Sequence, residues 1–257
     1  MKQSSFRHLI KREQYFFLVG IFFIVLISWI YLFNLGSSMD YAKISDEMMT
    51  YQNIQWSIKD ILSTAIMWII MMIAMMLPSA LPMIMIFSIY NKKQKSSGND
   101  FVNTWIFVAG YVMVWICLGI LASLLQFFLH NTSLLNQDLR LINHYISGVV
   151  LISSGIYQYT PLKGICLKNC QTPFGFIVTN WRKGKSGAFI MGAHHGLYCV
   201  GCCWALMLIL LVAGIMNLLW IGLISVFIFV EKIFTSKWLT RVGGSMMLIW
   251  GIYSIIY

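Results

Sequence analysis

The chain has 257 residues, of which 59% are hydrophobic and only 10% charged. Soluble domains average about 45–50% apolar and about 25% charged residues, so a soluble enzyme, a disordered chain and a secreted disulfide scaffold are excluded, and an all-α polytopic transmembrane helix bundle is expected. The net charge of +10 would suggest nucleic acid in a soluble protein, but membrane proteins gather Lys and Arg on the cytoplasmic side.

About 20 helical residues cross a hydrocarbon core about 30 Å thick. Seven apolar stretches suit this role: 15–34, 61–90, 101–129, 140–160, 188–212, 215–231 and 241–257. The first follows Lys2, Arg7, Lys11 and Arg12 and has no small-residue cleavage site, so a retained anchor is expected rather than a removable signal. The fifth and sixth form a hairpin around Gly214–Asn217, and the sixth is the shortest.

With the N-terminus cytoplasmic, 15 of the 18 basic residues fall inside, leaving Lys43, Lys59 and Arg140 outside. The flipped orientation reverses this ratio, so the N-terminus is placed in the cytoplasm. The charge is thereby read as topology, with the lipid bilayer as partner and no nucleic acid. Two parts are expected: residues 1–60 as an anchor and outer loop, and residues 61–257 as a six-helix membrane domain. Residues 35–60 form the outer loop in this reading, and residues 161–187 a basic inner loop.

One faint internal echo exists: Gly148 to Tyr157 resembles Gly244 to Tyr253, each with glycines seven apart. Glycines so spaced line one helix face and permit close packing, which explains the echo more cheaply than duplication.

The second span is rich in methionine. Met67, Met71 and Met75 share one face, with Met72 and Met76 on an adjoining one. Thioethers suit a soft ion such as Cu(I), but they also serve as deformable filler around a kink, which Pro78 and Pro82 are expected to produce.

The fifth span holds the densest chemistry, from Gly192 to Trp204. Taking His195 as zero, helical geometry puts Cys199 at about 40°, Cys202 at about −20° and Cys203 at about 80°. Four soft or borderline ligands therefore share an arc of about 100°, and this donor set favours Cu(I) or Zn(II) over hard cations. His194 points away. Ala188, Gly192 and Gly196 line a small-residue stripe that lets another helix approach. Packing of small cysteines is the competing reading, but a histidine inside a span is costly and defaults to function.

Cys166 and Cys170 lie in the inner loop at a spacing that allows chelation, although the pattern alone is weak. Cys117 is isolated and is read as packing. At 1.5 Å per residue from opposite membrane faces, Met71 and Cys199 both lie about 15 Å deep, so the two faces share one depth. Asp60 at the start of the second span suits a helix N-terminus. Glu231 beside Lys232 is either a solvated interfacial pair or a waiting point for metal. No nucleophile–base pair, phosphate loop or H-E-x-x-H signature is present.

The Met67–Pro78 run, the segment Gly155-x-Tyr157-Gln158 through Cys166 and Cys170 to Pro173, and His195-Gly-Leu-Tyr-Cys-x-Gly-Cys-Cys-Trp together resemble the predicted metal-binding integral membrane family known as domain of unknown function 2182. The likeness runs on through Asn217 and Trp220 to Glu231-Lys232. It implies a multi-pass protein of the bacterial inner membrane that binds metal, with no established activity. Members usually carry Arg before the His-Gly pair, where this chain has His194.

The expected function is therefore binding of a soft metal, copper ahead of zinc, for trafficking or membrane passage. Its expected ligands are His195, Cys199, Cys202 and Cys203, with Met71, Met72 and Met75 as thioethers, Glu231 alongside, and Cys166 and Cys170 exchanging metal with a soluble metal chaperone or a membrane complex. The alternatives are a membrane thiol–disulfide oxidoreductase using Cys199 and Cys202, and an accessory subunit of a metal-containing membrane complex. A binding protein is expected ahead of an enzyme.

Overall fold

The long apolar runs fold as helices because a helix satisfies its own backbone hydrogen bonds without water. In a computed structural model the described residues are 2–46, 57–96, 102–136, 139–235 and 237–256. Within them the chain is all-α: α1 (Lys2–Asp46), α2 (Ile58–Ser96), α3 (Thr104–Asn131), α4 (His144–Gln158), α5 (Pro161–Gln171), α6 (Pro173–Thr179), α7 (Gly184–Met207), α8 (Ile209–Ala213), α9 (Leu218–Ile233) and α10 (Lys237–Ile256). The only pairing of extended backbone among these residues is an isolated bridge between Leu135 and Leu141.

Local sequence explains where helices start. The Asn103, Asn143 and Asn217 side chains accept backbone N–H bonds at the starts of α3, α4 and α9, and Thr160 caps α5 with Pro161 at its first position. Asp60 does the expected work at α2, accepting from the Ser57 backbone N–H at 2.8 Å. Gly214, at φ 105°, turns the chain between α8 and α9 in a conformation that suits only glycine.

Among the described residues, five helical stretches are long and apolar enough to cross a membrane: Tyr15–Ser38, Ile58–Gln94, Thr104–Asn131, Gly184–Ala213 and Lys237–Ile256. The other two expected spans are shorter: α4 has 15 residues and α9 has 16, which is about 22–24 Å of helix. Both loop expectations need revision. Helix α1 continues through Asp46, so the outer loop begins later than residue 35, and residues 47–56 lie outside the described residues. The inner loop contains α5 and α6, because Thr160-Pro161 and Thr172-Pro173 each start a new helix. Helix α2 runs through Pro78 and Pro82 as one element.

Packing follows the glycines. On α3 and α7, a side chain on Gly110 would strike the Phe189 carbonyl, and one on Gly192 the Phe107 carbonyl, so the two backbones touch. The Ala188–Gly192–Gly196 stripe is thus where α3 docks. The echo between residues 148–157 and 244–253 has a similar physical basis. Helices α4 and α10 pack on each other, and a Cβ on Gly148 or Gly251 would lie 2.8 Å or 2.9 Å from the other's carbonyl oxygen. The Gly155 and Gly244 pair repeats this at 3.1 Å and 3.3 Å. Helix α2 closes the core against α3, where Trp68 Nε1 donates to Gln126 Oε1 at 2.7 Å. Large apolar residues also cover the outer surface: on α1, Phe22, Ile27 and Phe33 are 62%, 63% and 65% exposed. Such a surface suits lipid rather than water.

Candidate metal centre

Helix α7 presents His195, Cys199, Cys202 and Cys203 to the interior, and all four are buried. The shared arc read from helical spacing therefore faces inward. The Cys202 and Cys203 thiols donate to the Cys199 carbonyl at 3.1 Å and 2.9 Å, as expected for side chains three and four residues on.

Neighbouring helices supply the rest. Cys203 Sγ lies 3.9 Å from Met76 Sδ of α2. Tyr111 of α3 places its hydroxyl 3.1 Å from Cys199 Sγ and donates to the Met76 carbonyl at 3.0 Å. The Lys232 ammonium of α9 donates to Cys199 Sγ and to Ser79 Oγ, each at 2.8 Å. Interaction with the nearby Cys199 sulfur first, then with that of Cys202, together with burial, holds the Cys170 thiol of α5 well above its usual range. Four cysteine sulfurs and one thioether thus meet where α2, α3, α5, α7 and α9 converge.

Cys166 lies one turn back on α5, half-buried, and packs against the Gly201 backbone. Any side chain on Gly201 would push this sulfur away. Burial raises the Cys166 thiol, and the nearby Cys202 sulfur raises it further. The C-x-x-x-C pair thus spans one helical turn, from the partly exposed Cys166 to the buried Cys170.

His195 sits among the rings of Phe107, Tyr111 and Phe176, with centroids 6.3, 5.5 and 5.6 Å away. Its Nδ1 is buried with no hydrogen-bond partner. An orphaned imidazole nitrogen is costly and unusual, and it fits a residue that expects an incoming ligand. His194 instead packs against Phe176 and Tyr198, at 5.7 Å and 4.8 Å.

Met71, Met72 and Met75 are fully buried in the same core, but the thioether that reaches a cysteine is Met76, one residue further along α2. Glu231 is also buried, but it lies elsewhere. It accepts from Lys163 Nζ at 2.7 Å and Thr240 Oγ1 at 2.8 Å, and Gln158 also holds Lys163. A solvated interfacial pair with Lys232 is therefore ruled out, since the two adjacent side chains are buried and separate into different clusters. Cys117 is exposed and apart from the centre.

Among the described residues, no three His, Cys, Asp or Glu side chains already enclose a position for an ion. The sulfurs are instead occupied by hydrogen bonds to a carbonyl, a lysine and a tyrosine. The donor chemistry nevertheless suits a soft ion such as Cu(I) or Zn(II), which thiolate and thioether ligands favour over hard cations. The expected ligand set left out Met76, although it was named on the adjoining thioether face, and Lys232, although it was named beside Glu231; Tyr111 and Ser79 were not singled out at all. Tyr111 and Lys232 had a signal, since each is a polar group in an apolar run.

Comparison with known proteins places this geometry in context. A family model described as PpoB2, copper chaperone, matches residues 65–254. That range contains every side chain of the centre. No curated protein and no solved structure matches the chain.

Proposed function

The chain belongs to the PpoB2 copper chaperone family, and from that membership we propose that it receives Cu(I) from a donor, holds it on sulfur inside a membrane-embedded helix bundle, and passes it on. The observation that carries this reading is the gathering of Cys199, Cys202, Cys203 and Met76, with Cys170 nearby, beside the unpartnered Nδ1 of His195 in the bundle interior. Apolar packing alone gives no reason to bring this donor set together.

In this reading Cys199 and Cys202 hold the ion as thiolates, with Cys203 and Cys170 beside them as neutral thiols. His195 and Met76 flank them, and Met71, Met72 and Met75 extend the soft wall along α2. Cys166 is the ligand nearest the surface, where a soluble metal chaperone or a membrane complex delivers or collects the ion. Binding requires each cysteine used to give up its proton to solvent. Thiol–disulfide exchange is a poorer fit, because it needs an accessible thiolate and both Cys199 and Cys202 are fully buried.

The membrane placement rests on the five long apolar helices and the exposed apolar side chains of α1. Asymmetry of the basic residues favours a cytoplasmic N-terminus, and the motif resemblance favours the inner membrane of a bacterium. The direct test is elemental analysis of the detergent-purified full chain after anaerobic Cu(I) loading and desalting. Wild type is expected to retain stoichiometric copper, and a Cys199→Ser, Cys202→Ser variant to lose it. Absence of retained copper in wild type contradicts the reading, and full retention by the variant removes the assigned site.

A further inference from the structure

Among the described residues, two lysines are buried in the helical interior, and they face different chemistry. Lys163 meets a carboxylate, Glu231, in a complete ion pair. Lys232 has no carboxylate within ion-pair distance among the described residues, because Glu231, its neighbour in sequence, points to Lys163. Its ammonium instead lies 2.8 Å from Cys199 Sγ. An uncompensated buried ammonium is expensive, so its partner matters. Ser79 fixes the ammonium in place: it accepts from Lys232 at 2.8 Å and donates to the Met76 carbonyl at 2.8 Å. The positive charge is therefore built into the cargo site, tied both to the first sulfur and to the helix that bears Met76.

We propose that Lys232 is the resident counter-cation of the copper site and biases it towards a monovalent ion; this rests on the copper reading above. The charges decide the preference. Cu(I) on two cysteine thiolates leaves one net negative charge, and Lys232 cancels it. Zn(II) on the same two sulfurs is already neutral, so Lys232 leaves one uncancelled positive charge in a low-dielectric interior. Balance for Zn(II) then requires a third thiolate. No electron moves in either case, and each thiol proton lost leaves for solvent as its sulfur binds the ion. Lys232 acts through its fixed charge and is not itself a ligand.

The test compares wild type with Lys232→Gln and Lys232→Met, using the full chain in detergent. Cu(I) affinity is read against a competing chelator, and Zn(II) affinity is read separately with Zn(II) alone. Lys232→Gln retains a donor for Ser79 while losing the charge, so it separates charge from support of the fold. Both variants are expected to lose about tenfold to a hundredfold in Cu(I) affinity, the range of one charge-assisted contact, while Zn(II) affinity holds or rises. If Lys232→Gln keeps wild-type Cu(I) affinity, or if both metals weaken by the same factor, the counter-cation role is overturned while the copper reading stands. If wild type takes up no Cu(I), the copper reading falls and this inference with it.

Discussion

Two buried polar clusters lie side by side in this bundle, and adjacent residues of α9 belong to different ones. Glu231 joins Lys163, Gln158 and Thr240, where cation, carboxylate and hydrogen-bonding groups complement one another. Lys232 joins Cys199, Tyr111, Ser79 and Met76, where a cation faces sulfur and several soft donors remain available. The first cluster is electrically complete and ties α5 to α9. The second has no carboxylate, includes an orphaned imidazole, and contains the atoms a soft ion prefers. Polar burial by itself therefore does not mark a functional site. What distinguishes the second cluster is that its charges and lone pairs are incompletely matched by the protein.

If the first cluster is a structural lock, breaking it should cost the most stability and spare the copper chemistry. Glu231→Ala leaves the Lys163 ammonium buried and unpaired, an expected loss of about 3–5 kcal/mol. Thermal unfolding in detergent checks this, and copper bound per folded chain should stay unchanged. Loss of copper without loss of stability would place Glu231 at the metal after all.

A second substitution tests how the sulfur centre is positioned. Gly192→Val forces a side chain into the Phe107 carbonyl and separates α3 from α7. Overpacking of this kind costs about 1–3 kcal/mol, and it should also weaken copper retention because Tyr111 and Cys199 move apart. A variant with wild-type stability and copper content would show that the close helix contact does not position the centre.

Smaller changes distinguish the methionines. Met76→Leu keeps volume and should cost less than about 1.5 kcal/mol in stability, yet it should lower Cu(I) affinity measurably. Met71→Leu, a similar change without a sulfur contact to Cys203, should lower it less. Equal effects would mean that the methionines act as a diffuse wall. Cys117→Ser should change neither copper content nor unfolding temperature, since the residue is exposed and away from the centre.

The contrast between the clusters also shows what one sequence can reveal. The inward face of α7 was legible because helical periodicity fixes which side chains share an arc, and the spacing of four donors made that arc unusual. The glycine echo was legible for the same reason, and its packing explanation holds: Gly148 meets Gly251, and Gly155 meets Gly244. Periodicity says nothing about which neighbour an arc will meet. Met71 and Met76 lie on adjoining arcs of α2, and only the rotation of α2 in the bundle sets Met76 against Cys203. Glu231 and Lys232 were adjacent letters at a span end, which left a solvated pair and a waiting point for metal equally open. The folding of α5 onto α7 and α9 buried both in different surroundings. Residues 161–187 were assigned only to a basic inner loop, although Thr160-Pro161 carries a helix-start signal. Reading it as a helix would have placed Cys166 and Cys170 one turn apart.

The claim that separates the two clusters is that the sulfur cluster binds copper and the ion-pair cluster does not. X-ray absorption at the copper edge, on the anaerobically Cu(I)-loaded full chain, tests it most directly. The expected result is a sulfur-dominated first shell that is lost in the Cys199→Ser, Cys202→Ser variant and retained in Glu231→Ala. A shell of oxygen and nitrogen only, or a sulfur shell unchanged when Cys199 and Cys202 are replaced, would contradict it.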